Sequence, residues 1–294
     1  MRQSPTSRLP RLIPAAAGAA LLALMAVLTP AVGAGSAPPA PVTVADVDRD
    51  LLALTTGSVP VIVQLRGDAV AGEKAVAAAG GRITRHLPII NGLAASVPAQ
   101  GITTLATAAG VRAITLDRQV NVQAGDGSGS PNSVYGKVVR ADDTQAQGVT
   151  GRGVTVAVLD TGIADVADLA GRVLPVTNDL TGATTSCVNL SGEPGCGDSY
   201  GHGTFIAGII AGDGAASGGA YKGVAPGAKL VSIKVAGRDG SADVSTVIAG
   251  IQWAVSFKDR YGIKVLNLSL GTDGTQTYRT DPLNYAVEKA WASG

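Results

Sequence analysis

Cysteine and histidine are the scarcest chemistry-bearing residues of this 294-residue chain, with two of each. Two cysteines exclude a disulfide-dense scaffold and a cysteine-rich zinc site, and two histidines exclude a histidine-rich metal site. Aromatic residues make up only 3 %, so a core has to be built from Ala, Val, Leu and Ile. Charge is sparse too: 15 % of residues carry it, and 23 Lys and Arg against 22 Asp and Glu leave a net +1. A near-neutral chain without a basic block gives no electrostatic reason to expect nucleic acid as a partner. With 46 % hydrophobic residues it is nevertheless too apolar for intrinsic disorder. Glycine is the residue in excess, at 40 positions. That is twice the usual ~7 %, yet no Gly-X-Y period is present and collagen is excluded. The length suits two compact domains or one large one. Nucleotide-binding glycine loops and the H-E-x-x-H metal motif are absent.

What is present begins with an address. Arg2, Arg8 and Arg11 precede an uncharged stretch from Leu12 to Ala45. It is most apolar from Ala15 to Leu28 and is followed by the small residues Val32-Gly33-Ala34. This is the order of a secretory signal cleaved near Ala34. As a helix the apolar part rises ~21 Å, short of a ~30 Å hydrocarbon core, so no stable membrane anchor is expected. Without a nearby cysteine or an Arg-Arg pair, the general secretion route to an extracellular product is expected. In an oxidising compartment Cys187 and Cys196, in a stretch rich in Gly, Ser, Asn and Pro, are candidates for one small disulfide loop; two free thiols are the alternative.

Periodicity divides the rest in two. Val59 to Leu65, Arg82 to Leu87, Leu93 to Val97 and Val111 to Leu116 read as strands. Ala69 to Ala79 and Ile102 to Ala109 read as helices, and Asn91-Gly92 as a turn. The order β-α-β-β-α-β is that of a small split-βαβ sandwich. Gly125-Asp126-Gly127-Ser128-Gly129-Ser130-Pro131 is a linker by composition and marks a domain boundary. Beyond it, Val154 to Leu159, Lys229 to Val235 and Val265 to Leu270 are strand candidates. Asp243 to Lys258, with Asp243 as N-cap, and Pro282 to Ala292 are helix candidates. Strands alternating with helices predict a parallel sheet with helices on both faces.

Two residues carry chemistry in this second part. Asp160 ends the strand Val156-Ala157-Val158-Leu159, where open α/β sheets bind their ligands. By itself it also fits a plain turn cap. His202 sits in Gly201-His202-Gly203-Thr204, ahead of a helix of small and apolar residues. The flanking glycines let other backbone approach the imidazole closely. A carboxylate that orients an imidazole, and an imidazole that takes a proton from a serine hydroxyl, are two thirds of an acyl-transfer device.

Three blocks give this pair a family likeness. Asp160-Thr161-Gly162-Ile163, Gly201-His202-Gly203-Thr204 continuing to Ala207-Gly208, and Leu266-Asn267-Leu268-Ser269-Leu270-Gly271 resemble, in order, the Asp motif, the His motif and the substrate-pocket strand of subtilisin-like serine peptidases. Gly223-Val224-Ala225-Pro226 also matches, and the unit with Ile90-Asn91-Gly92-Leu93 resembles the family's inhibitor-type propeptide. The resemblance implies an α/β, parallel-sheet subtilisin-like catalytic domain, incomplete here, preceded by a small ferredoxin-like α+β propeptide domain. The implied division is a signal peptide at 1–34, a linker at 35–58, the propeptide domain at 59–120, a linker at 121–133 and the N-terminal part of the peptidase domain at 134–294.

It further implies a secreted endopeptidase acting on protein or peptide substrates. Asp160 and His202 would be catalytic, and Ser269, Leu270 and Gly271 would line the substrate pocket. The chain's own propeptide would act as intramolecular inhibitor, with its junction in the Gln123 to Ser133 stretch. No cofactor is required. Calcium is implied only in unspecified surface loops; Asp165, Asp168 and Asp198 are loop carboxylates there, with no site assigned and solvated surface charges the plainer reading.

Two departures stand out. Phe205 replaces a second family histidine and is expected to pack. The family also places its nucleophilic serine roughly 150 residues after the histidine, and Gly294 comes before that distance is reached. None of the serines from Ser217 to Ser293 stands in a Gly-Thr-Ser-Met-like turn, and the oxyanion asparagine segment is missing as well. The 294 residues alone are therefore expected to be inactive, as a truncated form of the family. The alternative function is that of a catalytically dead secreted remnant whose propeptide-like unit binds or inhibits another protease.

Overall fold

The computed structural model describes residues 44–122, 135–179, 181–274 and 276–294. The stretch read as a signal, 1–34, and the Gly/Ser stretch at 123–133 lie outside the described residues. The first elements are β1 (Asp46–Val47), α1 (Arg49–Leu52), β2 (Ser58–Leu65), α2 (Ala69–Ala78), β3 (Arg82–Leu87), β4 (Gly92–Pro98), α3 (Ile102–Ala106) and β5 (Val111–Leu116). From β2 to β5 the order is the expected β-α-β-β-α-β. β1 and α1 fall in the stretch read as linker. β1 pairs in parallel with β5, and Leu51 of α1 is buried, contacts that a two-residue strand cannot announce by periodicity. Helix α3 stops at Ala106, short of Ala109, because Thr107 turns its hydroxyl back onto the Thr103 and Thr104 carbonyls.

These strands form one sheet in the order β1-β5-β2-β4-β3. On one face Val61, Val63, Leu93, Val97, Leu105 and Ile114 form a core beneath α2 and α3. Ile62, Leu87, Ile90 and Ala94 belong to a second, larger core. Strand β2 is thus buried on both faces. Its run Val61-Ile62-Val63 lacks the alternation of a half-exposed strand for that reason.

The chain continues with β6 (Gln119–Val122), the short helices α4 (Tyr135–Val138) and α5 (Ala141–Ala146), and then β7 (Thr155–Asp160), β8 (Val176–Thr177), β9 (Thr184–Thr185) and β10 (Cys187–Asn189). After these come α6 (His202–Ala211), β11 (Lys229–Lys234), β12 (Ser241–Asp243), α7 (Val244–Ser256), α8 (Lys258–Tyr261), β13 (Ile263–Asn267), β14 (Leu270–Gly271) and α9 (Pro282–Ala292). A parallel sheet runs β10-β11-β7-β13, with every residue of β7 buried. Val156, Val158 and Leu230 face Ala207 and Ala211 of α6. Ala157, Leu159, Val231 and Ile233 share the larger core with Val247, Ile248 and Ile251 of α7. Helices on both faces of a parallel sheet are what βαβ crossovers produce. Among the described residues the outer edge of β13 is open, and an apolar cavity of about 500 Å³ lies beside it, lined in part by Ile263, Val265, Leu268 and Trp291.

Three expectations need correction. The run Val265 to Leu270 is two strands: β13 stays in the parallel sheet, while β14 leaves it to pair with β6. Residues 121 and 122, read as linker, belong to β6, the middle strand of an antiparallel sheet β12-β6-β14. Asp243 stands at the N-cap position of α7 but does not cap it; its carboxylate takes the Gln119 amide instead. The cap is Asp117, just after β5, which accepts from the Ser245 amide (2.9 Å) and hydroxyl (2.6 Å).

The N-terminal sheet and the parallel sheet lie in one compact unit, Val42–Gly294. Gln64 donates to the Thr280 carbonyl (3.0 Å) and the Ile89 amide to Gln252 (3.2 Å), which ties β2 and the β3–β4 turn to the α9 and α7 regions. Arg118, at the entry to β6, pairs with Asp48 (2.9 Å) and Asp50 (2.6 Å).

Burial pushes the Asp117 carboxyl above its ordinary 3.8, against the opposing Ser245 bonds. With the folded value raised, its favourable contribution is complete below the unfolded value and is lost as pH rises through the folded one. Asp117→Asn keeps an acceptor for the Ser245 amide and removes the charge. In urea unfolding it should match or exceed the wild type at neutral pH, with a flatter profile between about pH 3 and 6. Asp117→Ala should lose ~1–2 kcal/mol with the cap. An Asn variant as unstable as the Ala variant would show that the charge itself holds the helix.

Candidate active site

The site is built where β7 ends and α6 begins. Asp160, the last residue of β7, is 1 % exposed. A carboxylate in that position has to be met by donors, since an unpaired buried charge is far more costly than a paired one. The Thr161 amide donates to Oδ1 (2.8 Å), and His202 Nδ1 lies 2.8 Å from Oδ1 and 2.9 Å from Oδ2. A carboxylate only accepts, so Nδ1 carries the proton. In the neutral ring Nε2 then keeps its lone pair.

Backbone permissiveness lets α6 start so close to β7. Gly203 lies against the Gly162 carbonyl, and any Cβ there would collide with it. Gly162 has φ 110°, and a Cβ on it would meet the Gly197 carbonyl oxygen at 2.9 Å. The remaining donors at the helix start are collected by two side chains. Thr161 Oγ1 accepts from the Gly203 amide (2.9 Å) and donates to Asp198 (2.7 Å). Asp198 also accepts from the amides of Tyr200 (3.1 Å), Gly201 (2.7 Å) and Thr204 (2.8 Å) and from the Thr204 hydroxyl (2.6 Å). A carboxylate suits this place because helix N-termini leave amides unsatisfied and carry partial positive charge. The hydrogen bonds outweigh partial burial, and the Asp198 carboxyl lies below its ordinary 3.8.

Strand β6 runs between two others. On one side Leu270 and Gly271 of β14 pair antiparallel with Val122 and Asn121 of β6. On the other, Ser241, Ala242 and Asp243 of β12 pair with Asn121, Val120 and Gln119. Val120 is 1 % exposed and belongs to the core that includes Val244 and Val247. The Val122 amide donates to the Gly240 carbonyl (3.0 Å).

The residues singled out from the sequence fall as follows. Asp160 and His202 meet directly. Leu270 and Gly271 meet β6, while Ser269 lies in the bend before them and its Oγ accepts from Asn267 Nδ2 (2.9 Å). Cys187 and Cys196 are joined, with S–S 2.12 Å. Phe205 does not pack: it is 64 % exposed, because it points away from β7 on the outer side of α6. The three loop carboxylates are not brought together around one point. Asp198 is taken up by protein donors, Asp168 accepts the Ala216 amide (2.6 Å), and Asp165 is exposed. Among the described residues no group of three or more His, Cys, Asp or Glu is placed to hold a metal ion. Sequence reasoning missed the work of Thr161 and Thr204, although the hydroxyls stand one residue after Asp160 and two after His202. It also missed Lys234, a lysine at the far end of the largely apolar strand β11.

Residues 151–294 match the Subtilase family (Peptidase_S8). The chain is similar to serine protease AprX of Bacillus subtilis (strain 168), 35 % identical over 195 residues, which are 65 % of this chain and 40 % of that protein. It is similar to alkaline elastase YaB of Bacillus sp. (strain YaB), 40 % identical over 157 residues, 53 % of this chain and 35 % of the other. It is also similar to subtilisin Savinase of Lederbergia lenta, 38 % identical over 151 residues, 51 % and 49 %. The crystal structure of fervidolysin from Fervidobacterium pennivorans, a keratinolytic enzyme related to subtilisin, matches with a TM-score of 0.60 at 23 % identity, over 86 % of this chain and 40 % of that one. At that identity the likeness speaks for the fold alone. The chain spans less than half the length of each of these curated relatives. Residues 151–294 therefore match the subtilase family in sequence, and the fold is like that of a subtilisin-related enzyme.

Proposed function

We propose that this chain carries two of the three groups of a secreted Ser-His-Asp endopeptidase that hydrolyses peptide bonds of extracellular proteins. The observation that carries the reading is His202 Nδ1 within 2.9 Å of both Asp160 oxygens at the carboxyl end of a buried parallel strand. Asp160 fixes the tautomer and stabilises the imidazolium. His202 Nε2 takes the proton from a serine hydroxyl as it attacks the substrate carbonyl, then returns it to the leaving amine. The reaction requires no cofactor. None of the described serines hydrogen-bonds to Nε2, and the relatives are long enough to hold a nucleophile outside the matched part. The signal-like N-terminus and the disulfide fit an extracellular setting. Among the described residues no helix is long and apolar enough to cross a membrane.

The N-terminal unit is read as an inhibitor-type propeptide. Support comes from β6, which lies between β12 and β14 as an extended peptide substrate would, with Ser269, Leu270 and Gly271 forming that wall of the cleft. Further support comes from the Asp117 cap on α7 and from the core shared by Ile62, Leu87 and Ile90 with α7.

In the active full-length enzyme, His202→Ala should lower kcat on an unstructured protein substrate by several powers of ten, with KM little changed. Undiminished hydrolysis would sink the mechanism. Val120→Glu places a charge in an apolar core, a cost of several kcal/mol. Hydrogen exchange should then speed up at the β6 amides while β2 to β5 stay protected, and self-inhibition should weaken at least ~10-fold. Unchanged exchange and inhibition would take β6 out of the inhibitory role.

A further inference from the structure

Asp198 touches neither Asp160 nor His202 through any of its five hydrogen bonds, yet four of those bonds end on the frame that holds them. Thr161 joins Asp198 to the strand end that carries Asp160. Its Oγ1 is 2.7 Å from Asp198 and 3.3 Å from Asp160 Oδ1, and its amide donates to Asp160. Gly201 and Thr204 join Asp198 to the first turn of α6, whose first residue is His202.

Asp198 sits at the end of a glycine-rich loop that has few apolar anchors of its own. Two devices tie the loop down. The Cys187–Cys196 bridge closes its first part onto β10, the edge strand of the parallel sheet. Lys234, at the end of β11, secures the rest. It is 1 % exposed and stands in register beside Asp160. A buried ammonium needs acceptors for all three hydrogens. Nζ finds the Gly197 carbonyl at 2.7 Å, Ser199 Oγ at 3.2 Å and Glu193 Oε2 at 3.0 Å, all within the loop. Glu193 in turn accepts from Ser199 Oγ (2.5 Å) and the Arg238 amide (2.8 Å), and its carboxyl is held down to about 2 by the Ser199 and Lys234 hydrogen bonds. The strand pair that ends at Asp160 thus also anchors the residues on either side of Asp198.

We infer that Asp198 is a positioning residue for the Asp160–His202 pair, held in place by the Lys234–Glu193 ion pair and the Cys187–Cys196 bridge. The inference rests on the reading of His202 as general base.

The chain has only two histidines, so His86→Gln leaves His202 as the single imidazole in a ¹⁵N-histidine spectrum. In that background the neutral ring should show one fixed tautomer, protonated at Nδ1, with a slowly exchanging Nδ1 proton. Asp198→Ala should average the two ring nitrogens and lose that proton signal. Asp198→Asn, which keeps one acceptor for the helix amides, should restore part of it. In the active full-length enzyme Asp198→Ala should lower kcat ~10- to 100-fold with KM within ~2-fold. A fixed tautomer and an unchanged kcat in Asp198→Ala would overturn the inference. Averaged nitrogens already in the Asp198-containing protein would overturn the Asp160–His202 reading instead. If Asp198→Ala does not fold, Thr161→Val, which removes the Asp198 link to the strand end together with the Gly203 and Asp160 contacts of the same hydroxyl, should give the same spectral change at smaller scale, and an unchanged spectrum there overturns the inference.

Discussion

A carboxylate buried at the end of a parallel strand sets the terms for everything around it. Asp160 has left water, so its oxygens must be met by donors that reach the same point in space. One is the next amide in the chain, and the other is an imidazole forty-two residues away. For that imidazole to arrive, a helix has to begin within backbone contact of the strand end. This is why glycine occupies 162 and 203, and why the unsatisfied amides of the first turn face a second carboxylate, Asp198. The Asp160–His202 geometry is a consequence of satisfying one buried charge.

The same economy links the N-terminal unit to the rest of the chain. Helix α7 packs one side on the parallel sheet and the other near the β3–β4 turn, and its first turn is capped by Asp117 from the segment that leads into β6. Strand β6 then supplies the middle of a sheet whose outer strands, β12 and β14, have no bond to each other without it. The N-terminal unit therefore satisfies hydrogen-bond groups and apolar surface that belong to the other part. The two parts are coupled through shared contacts.

Much of this was readable in advance, and the misses share a cause. Asp160 and His202 stood in motifs whose neighbours had an evident local purpose: small residues for close approach, an apolar β-branched run for a buried strand. β7, β11 and α9 were placed to within a residue or two, because burial on a sheet or helix face imprints a period on the sequence. The errors arose where a partner lies far along the chain. Asp243 has the right chemistry and position to cap α7, but Asp117, 128 residues from Ser245, does so, because the β5–β6 segment brings it there and Gln119 engages Asp243. The single run from Val265 to Leu270 divides because a second strand partner waits beyond the end of β7.

By itself the sequence determined what each segment is able to do: which runs become strands, where helices begin, which carboxylate and which imidazole are suited to proton transfer, and which two cysteines are near enough to join. Only the tertiary structure decided which groups meet. It chose Asp117 over Asp243, put β6 between β12 and β14, set Lys234 beside Asp160, and turned Asp198 from a loop charge into the hub of the α6 start. The physical reason is range. Periodicity and turn chemistry act over a few residues, whereas a buried charge or an unpaired amide accepts whichever partner the whole packing arrangement delivers.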